Sequence, residues 1–86
     1  MKKIEMNYEE KANTDKLLFY YSEKVNVHII LKRQVSSGKN SFLNGLITNR
    51  LNERLWVLKD RELGEVRLSI SEIAPGGVKE FREVSI

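Results

Sequence analysis

The chain has 86 residues and a net charge of +3, which suits one domain with a thin core. At this size only roughly 60–65% of the unfolded surface can be buried. The chain has no cysteine, which excludes disulfides and thiolate metal sites, so barrel closure or self-association must complete the core. No segment approaches the roughly 20 apolar residues of a membrane span, and no apolar stretch follows the N-terminal lysines. We therefore expect a cytoplasmic protein that does not enter membranes.

The charge is unevenly distributed along the chain. Residues 1–23 carry a net charge of −1, residues 24–61 a net charge of +6, and residues 62–86 a net charge of −2. A basic middle section favours a polyanionic partner. An ordinary solvated surface explains such a run of charge equally well.

A helix is expected after a polar segment of residues 1–13. Asparagine side chains cap helices, and two are suitably placed: Asn7, with Glu10 three residues later, or Asn13. The second start is preferred because it places several apolar side chains on one helical face. These are Leu17, Leu18 and Tyr21. A strand over residues 17–21 is the alternative.

The remainder of the chain predicts consecutive antiparallel strands. Residues 24–32 alternate, with apolar side chains on one face. That face carries Val25, Val27, Ile29 and Leu31. Three more strands are expected over residues 42–48, 55–60 and 64–70, with polar turns at 49–54 and 60–64. Pro75, in the segment 73–77, is expected to end regular pairing, which leaves residues 76–86 as a tail or an extra edge strand.

Both the order of these elements and their residues resemble the Sm, Lsm and Hfq superfamily. The matching segments are VNVHIIL (25–31) for the first strand, LNGLI (43–47) for the second, LWVLKD (55–60) for the third, and SISEIAP (69–75) for the end of the bacterial Hfq core. The resemblance covers roughly residues 15–75. Gly45 fits it physically, because a strongly bent strand needs glycine where a side chain would obstruct the bend.

The resemblance implies a mainly β domain over residues 14–75. Its fold would be an N-terminal α-helix followed by a five-stranded, strongly bent antiparallel Sm-like (SH3-like) barrel. Edge strands of neighbouring subunits would pair to form a ring that binds single-stranded RNA. In this family the base-reading residues lie in the loops between the second and third strands and between the fourth and fifth.

The family's base-reading residues are missing from this chain. Leu51, Arg54 and Leu55 stand where the first Sm motif has its Asp, apolar residue and Asn. Ser69 and Ile70 replace the Arg-Gly pair of the second motif, so the family's uridine pocket does not transfer. Polar or cationic side chains nevertheless occupy the same loops, and these are the candidate RNA-binding residues: Asn49, Arg50, Asn52, Arg54 and Ser71.

Arg50 and Arg54 could bind phosphate in a salt-dependent manner, and a ring would repeat the contact in every subunit. Asn49 and Asn52 could hydrogen-bond bases. The competing interpretation is a solvated loop in which Arg54 pairs with Glu53 or with a neighbouring subunit. A second, less specific basic loop carries Lys32, Arg33 and Lys39.

Nothing in the sequence indicates catalysis, a cofactor or a metal. Trp56 lies among apolar residues and is expected to pack in the core or an interface. His28 is the only histidine and, with no cysteine, makes a poor metal ligand; a surface or intersubunit hydrogen bond is expected. No nucleophile, base and orienting group occur together. We therefore expect a non-catalytic, ring-forming RNA-binding protein or, alternatively, an oligomeric scaffold of the same fold that has lost RNA binding.

Overall fold

A computed structural model describes residues 6–32 and 41–82. It confirms the expectation of a mainly β chain with one N-terminal helix and five antiparallel strands. The elements are α1 (Tyr8–Glu23), β1 (Val27–Leu31), β2 (Phe42–Asn52), β3 (Leu55–Asp60), β4 (Gly64–Ser69), a 3-10 turn (Ile70–Glu72) and β5 (Ile73–Glu80). Within the described ranges, no helix is long and apolar enough to cross a membrane.

The five strands form one sheet in the order β4-β3-β2-β1-β5. Strands β1 to β4 are neighbours in both sequence and space, whereas β5 returns to pair with β1. In residues 6–32 and 41–82, β4 pairs only with β3 and β5 pairs only with β1, so the sheet is not closed into a barrel. The predicted barrel closure is therefore not confirmed, and the described part of the chain forms a sheet with two open edges.

One face of the sheet and one side of α1 enclose the core. Its buried members are Leu17, Val27, Ile29, Leu43, Ile47, Trp56, Leu58, Leu68, Ile70, Ile73 and Val78. The predicted alternation is confirmed at Val27 and Ile29, which are fully buried while His28 on the other face is half-buried. The strand is shorter than the predicted 24–32, because residues 24–26 and 32 lie outside β1. Trp56 is fully buried and its ring meets Tyr21 of α1 edge-on, with centroids 5.8 Å apart, which confirms its predicted packing role.

The preferred helix start at Asn13 is wrong, because α1 begins at the other candidate. Asn7 caps the helix: its side chain accepts from the Glu10 amide at 2.8 Å, and the Glu10 carboxylate accepts from the Asn7 amide at 3.2 Å. Asn13 is instead buried inside the helix, where its Nδ2 donates to the Ala74 carbonyl at 3.2 Å. The helical prediction for residues 17–21 is confirmed, and the strand alternative is wrong.

We expect Asn7→Ala to destabilise the protein by about 1 kcal/mol, the usual cost of losing a helix cap. Alanine has no side-chain oxygen to accept from the Glu10 amide, so the first turn of α1 would fray. Urea unfolding followed by circular dichroism measures the loss. Asn7→Ser is the matched control, because a serine hydroxyl also caps, and a loss as large in Asn7→Ser would contradict a capping role.

The predicted bounds of β3 are confirmed, but β2 extends past residue 48 to Asn52. The predicted turn over residues 49–54 is therefore mostly strand, and only Glu53 and Arg54 form the turn. Strand β2 absorbs its extra length in two register shifts against β3, at Thr48 and Leu51. Such bulges bend a strand and increase its twist.

The sequence predicts that regular pairing ends at residues 73–77, and this prediction is wrong. Strand β5 runs through Pro75 to Glu80. On β1 only Ile30 separates the pairs Leu31–Ile73 and Ile29–Val78, so residues 74–77 bulge out of the ladder. Proline is tolerated there because a bulged residue need not donate to the neighbouring strand. Residues 78–80 therefore belong to an edge strand, one of the two predicted possibilities for the tail.

Candidate RNA-binding site

Two asparagine side chains near the end of β2 accept hydrogen bonds from the backbone that leads into the β2–β3 turn. Asn49 Oδ1 accepts from the Arg50 amide, and Asn52 Oδ1 accepts from the Arg54 amide, both at 2.8 Å. Asn49 and Asn52 are exposed. These bonds use the side-chain carbonyl oxygens only, so each Nδ2 group stays outside them and can donate to a ligand.

Arg50 lies against Trp56, its partner on the facing strand. The guanidinium carbon is 4.8 Å from the centre of the indole ring, close enough for a cation–π contact. Arg50 Nε and Nη2 donate to the carbonyls of Asn52 and Glu53, both at 3.2 Å. Arg50 therefore stabilises the turn and covers the core, and it offers only part of its donor set to solvent.

Arg54 forms an ion pair with Glu10 of α1, not with Glu53. Its Nη2 donates to Glu10 Oε2 at 2.6 Å, and the two side chains are 31% and 12% exposed. The Nη1 group of Arg54 is buried and has no hydrogen-bond partner within residues 6–32 and 41–82. The pair joins the first turn of the helix to the β2–β3 turn.

The environment of Glu10 lowers its pKa below the ordinary value of 4.5. The hydrogen bond from Arg54 is the largest cause; burial opposes it, and the Asn7 amide and the charges of Arg54 and Lys32 add to it. Because the folded-state pKa lies below the unfolded value, the ionised carboxylate stabilises the fold above about pH 4.5. That contribution is lost as the pH falls through the folded-state pKa.

The 3-10 turn connects the two predicted cationic regions, because Ile70 donates to the Arg54 carbonyl and Glu72 accepts from the Lys32 amide. Lys32 is exposed at the end of β1, and its amide donates to the Glu72 carbonyl at 2.8 Å. Arg33 and Lys39, the other predicted members of the basic loop, lie outside the described residues. Glu10 is thus paired with Arg54 of one region, and the charge of Lys32 from the other region helps to lower its pKa.

Ser71 lies beside the β2–β3 turn, in the 3-10 turn that precedes β5. The neighbouring Ile70 amide donates to the Arg54 carbonyl at 2.9 Å, which joins the two predicted RNA-binding loops. Ser71 is exposed, and its hydroxyl is 2.9 Å from that of Ser69, which caps the 3-10 turn. The hydroxyl of Ser71 can rotate towards a ligand without disturbing the cap.

His28 lies on the opposite face of the sheet from the core, away from these loops. Its Nδ1 is hydrogen-bonded to the side chain of Asn44. The predicted surface hydrogen bond is therefore formed within the chain. Among the described residues no group of three or more His, Cys, Asp or Glu side chains is placed to bind a metal.

Glu10 is the site residue that sequence reasoning missed. Its position three residues after Asn7 indicates a helix cap, and it fills that role. No sequence pattern connects it to Arg54, because the two residues lie on elements brought together only by the packing of α1 on the sheet.

Comparison with known proteins adds no relative to these observations. No protein-family model matches the chain, and searches of curated proteins and of solved structures find no match. The residues with ligand-binding chemistry are therefore identified by their contacts: Asn49, Arg50, Asn52, Arg54, Ser71, Lys32 and Glu10.

Proposed function

We propose that this chain is a non-catalytic, Sm-like subunit that assembles edge to edge with copies of itself into a ring and binds single-stranded RNA. The observation that carries this proposal is the strand order β4-β3-β2-β1-β5, in which no other described segment of the chain pairs with the outer side of β4 or of β5. Open strands are a template for pairing with another chain. When β4 of one copy pairs with β5 of the next, both edges are used, and a fixed rotation between copies closes the ring.

The edge strands carry both signs of charge, which supports a specific pairing over general aggregation. Exposed Glu65 and Arg67 lie on β4, and exposed Lys79 and Glu80 lie on β5. Charges on an edge oppose indiscriminate strand addition. A copy whose opposite charges fall into register is favoured over other strands.

RNA binding in this proposal uses the β2–β3 turn and the adjacent Ser71. The arginines supply phosphate contacts, and the Nδ2 groups of Asn49 and Asn52 supply donors to base acceptors. One turn offers few contacts, but a ring presents the same turn once per subunit to a single RNA strand. Weak contacts then add up through their effective concentration.

Replacing Arg50 and Arg54 together with alanine should weaken the binding of single-stranded RNA about tenfold or more and reduce the slope of log K against log salt by roughly 1.4, which is 0.7 for each phosphate that is no longer neutralised. Fluorescence anisotropy titrations at several salt concentrations measure both quantities. The double variant Lys16→Ala with Lys59→Ala is the matched control, since it removes the same charge from exposed positions outside the turn and the edge strands. Equal losses in the two variants would contradict a site at the turn.

Ring assembly is tested separately by light scattering after size exclusion, recording molar mass and the ultraviolet absorbance ratio together. The proposal requires a mass several times the 10.0 kDa of one chain. A monomer at all concentrations would contradict it. An absorbance ratio raised by co-purified nucleic acid would support RNA binding in the same run.

A second candidate is an edge-assembled scaffold of the same fold that does not bind RNA. Two observations favour it: Arg54 is paired with Glu10, and Arg50 is bound to Trp56 and two turn carbonyls. Both candidate phosphate ligands thus already have partners within the chain. The scaffold predicts an assembled protein with a protein-like absorbance ratio that shifts no RNA at low salt, and tight RNA binding would exclude it.

A further inference from the structure

Glu10 lies where a phosphate bound by Arg54 would have to lie. Its Oε2 takes the Nη2 donor of Arg54 at 2.6 Å, and its Oε1 accepts from the Asn7 amide at 3.2 Å. The side chain is only 12% exposed and is fixed in the first turn of α1. Glu10 is therefore a positioned carboxylate that is held by the cap as well as by the arginine.

A carboxylate and a phosphate compete for the same guanidinium donors, because both accept two parallel N–H bonds from the planar fork of arginine. In Arg54 one terminal nitrogen donates to Glu10 and the other is buried. Arg54 therefore cannot offer a phosphate two parallel donors from its terminal nitrogens while the pair is formed.

We propose that Glu10 is an internal competitor that holds Arg54 against α1 and that RNA phosphate must displace. This inference rests on the proposed RNA binding and states how that binding is regulated. The affinity of the turn for RNA depends on how tightly Glu10 of the helix holds Arg54. Displacement frees Arg54 from α1, so RNA binding and the docking of the first helical turn oppose each other.

Glu10→Gln tests this competition with little change in shape. Glutamine keeps a carbonyl oxygen for the Asn7 amide, so the helix cap is preserved while the ion pair is lost. We expect single-stranded RNA to bind roughly fivefold more tightly, which corresponds to about 1 kcal/mol.

Two further variants make the result specific. Glu9→Gln removes the same charge from an exposed neighbour, so it reports the effect of net charge alone. Arg54→Ala combined with Glu10→Gln, compared with Arg54→Ala, shows whether the tighter binding passes through the arginine. The proposal predicts that Glu9→Gln raises the affinity for RNA less than Glu10→Gln does. It also predicts that adding Glu10→Gln to Arg54→Ala raises the affinity no more than Glu9→Gln raises that of the wild type.

The outcomes separate this proposal from the one it rests on. If the wild-type chain binds RNA but Glu10→Gln binds no better than Glu9→Gln, or if the tighter binding persists without Arg54, the competition is disproved and the RNA-binding function stands. If neither the wild-type chain nor any variant binds RNA at low salt, the proposed RNA binding is itself wrong, and the competition is wrong with it.

Discussion

Gly45→Ala is expected to destabilise the protein by about 3 kcal/mol or more, at the upper end of the cost of overpacking. A Cβ atom at this position would lie 1.9 Å from the Lys59 carbonyl oxygen and 2.7 Å from its carbon. Both atoms belong to the backbone of β3, which pairs with β2 at this point, so no side-chain rotation can relieve the clash. The strands would have to separate at the centre of the sheet.

Urea unfolding measures the loss of stability in Gly45→Ala. A Gly45→Ala protein that is already unfolded in buffer would also agree with this prediction. Gly64→Ala is the matched control. Gly64 has a φ of +78° but open space where a Cβ would lie, so alanine there should cost only about 1 kcal/mol of backbone strain. Similar stabilities of the two variants would show that crowding at Gly45 is not what requires glycine.

Asp60→Asn is expected to destabilise the protein by about 1–3 kcal/mol, because it leaves part-buried amide donors without an acceptor. Asp60 is 8% exposed. Its Oδ1 accepts from the Asn44 amide, and its Oδ2 accepts from the amides of Glu62 and Leu63, all at 2.9 Å. An asparagine retains one acceptor oxygen, but its NH₂ group would face backbone N–H groups and could not accept a hydrogen bond from them.

The same carboxylate predicts a pH dependence. Burial raises the pKa of Asp60, but the amides of Leu63, Asn44 and Glu62 together outweigh it, so that the pKa falls below its ordinary value of 3.8. The stabilisation is therefore complete above about pH 3.8 and is lost as the pH falls through the folded-state pKa. The stability difference between wild type and Asp60→Asn should shrink on acidification.

Unfolding free energies of both proteins, measured from neutral to acidic pH, test this expectation. Glu62→Gln, at an exposed position of the same turn, is the control and should change stability little. A difference between wild type and Asp60→Asn that is constant with pH would contradict the role given to the ionised carboxylate.

Local patterns predict the parts of the fold that depend on local physics. The alternation along β1 and the β-forming residues around Trp56 indicate two strands correctly, because a half-buried strand requires that pattern. Gly45 is predicted to lie where a side chain would obstruct the strand, and the structure provides the close approach of Lys59. Asn49 and Asn52 are usual turn residues, but the bulges of β2 let both remain in the strand.

Other features depend on partners distant in sequence. Asn13 is a good cap by itself, and only its burial against Ala74 of β5 places it inside the helix. Pro75 ends a strand in most contexts, and only the register of β5 against β1 moves it into a bulge. Arg54 has an acidic neighbour at Glu53, yet it pairs with Glu10 because α1 packs across the turn.

The return of β5 to β1 has a consequence for folding. Strands β2, β3 and β4 pair with strands that are adjacent in the chain, so these pairings can form early. The pairing of β1 with β5 forms later, because it joins residues as distant in sequence as Val27 and Glu80. Pairings between distant segments form slowly because the intervening chain must first be ordered. During synthesis β1 therefore leaves the ribosome long before its second neighbour exists, and until then its outer backbone is open to incorrect pairing.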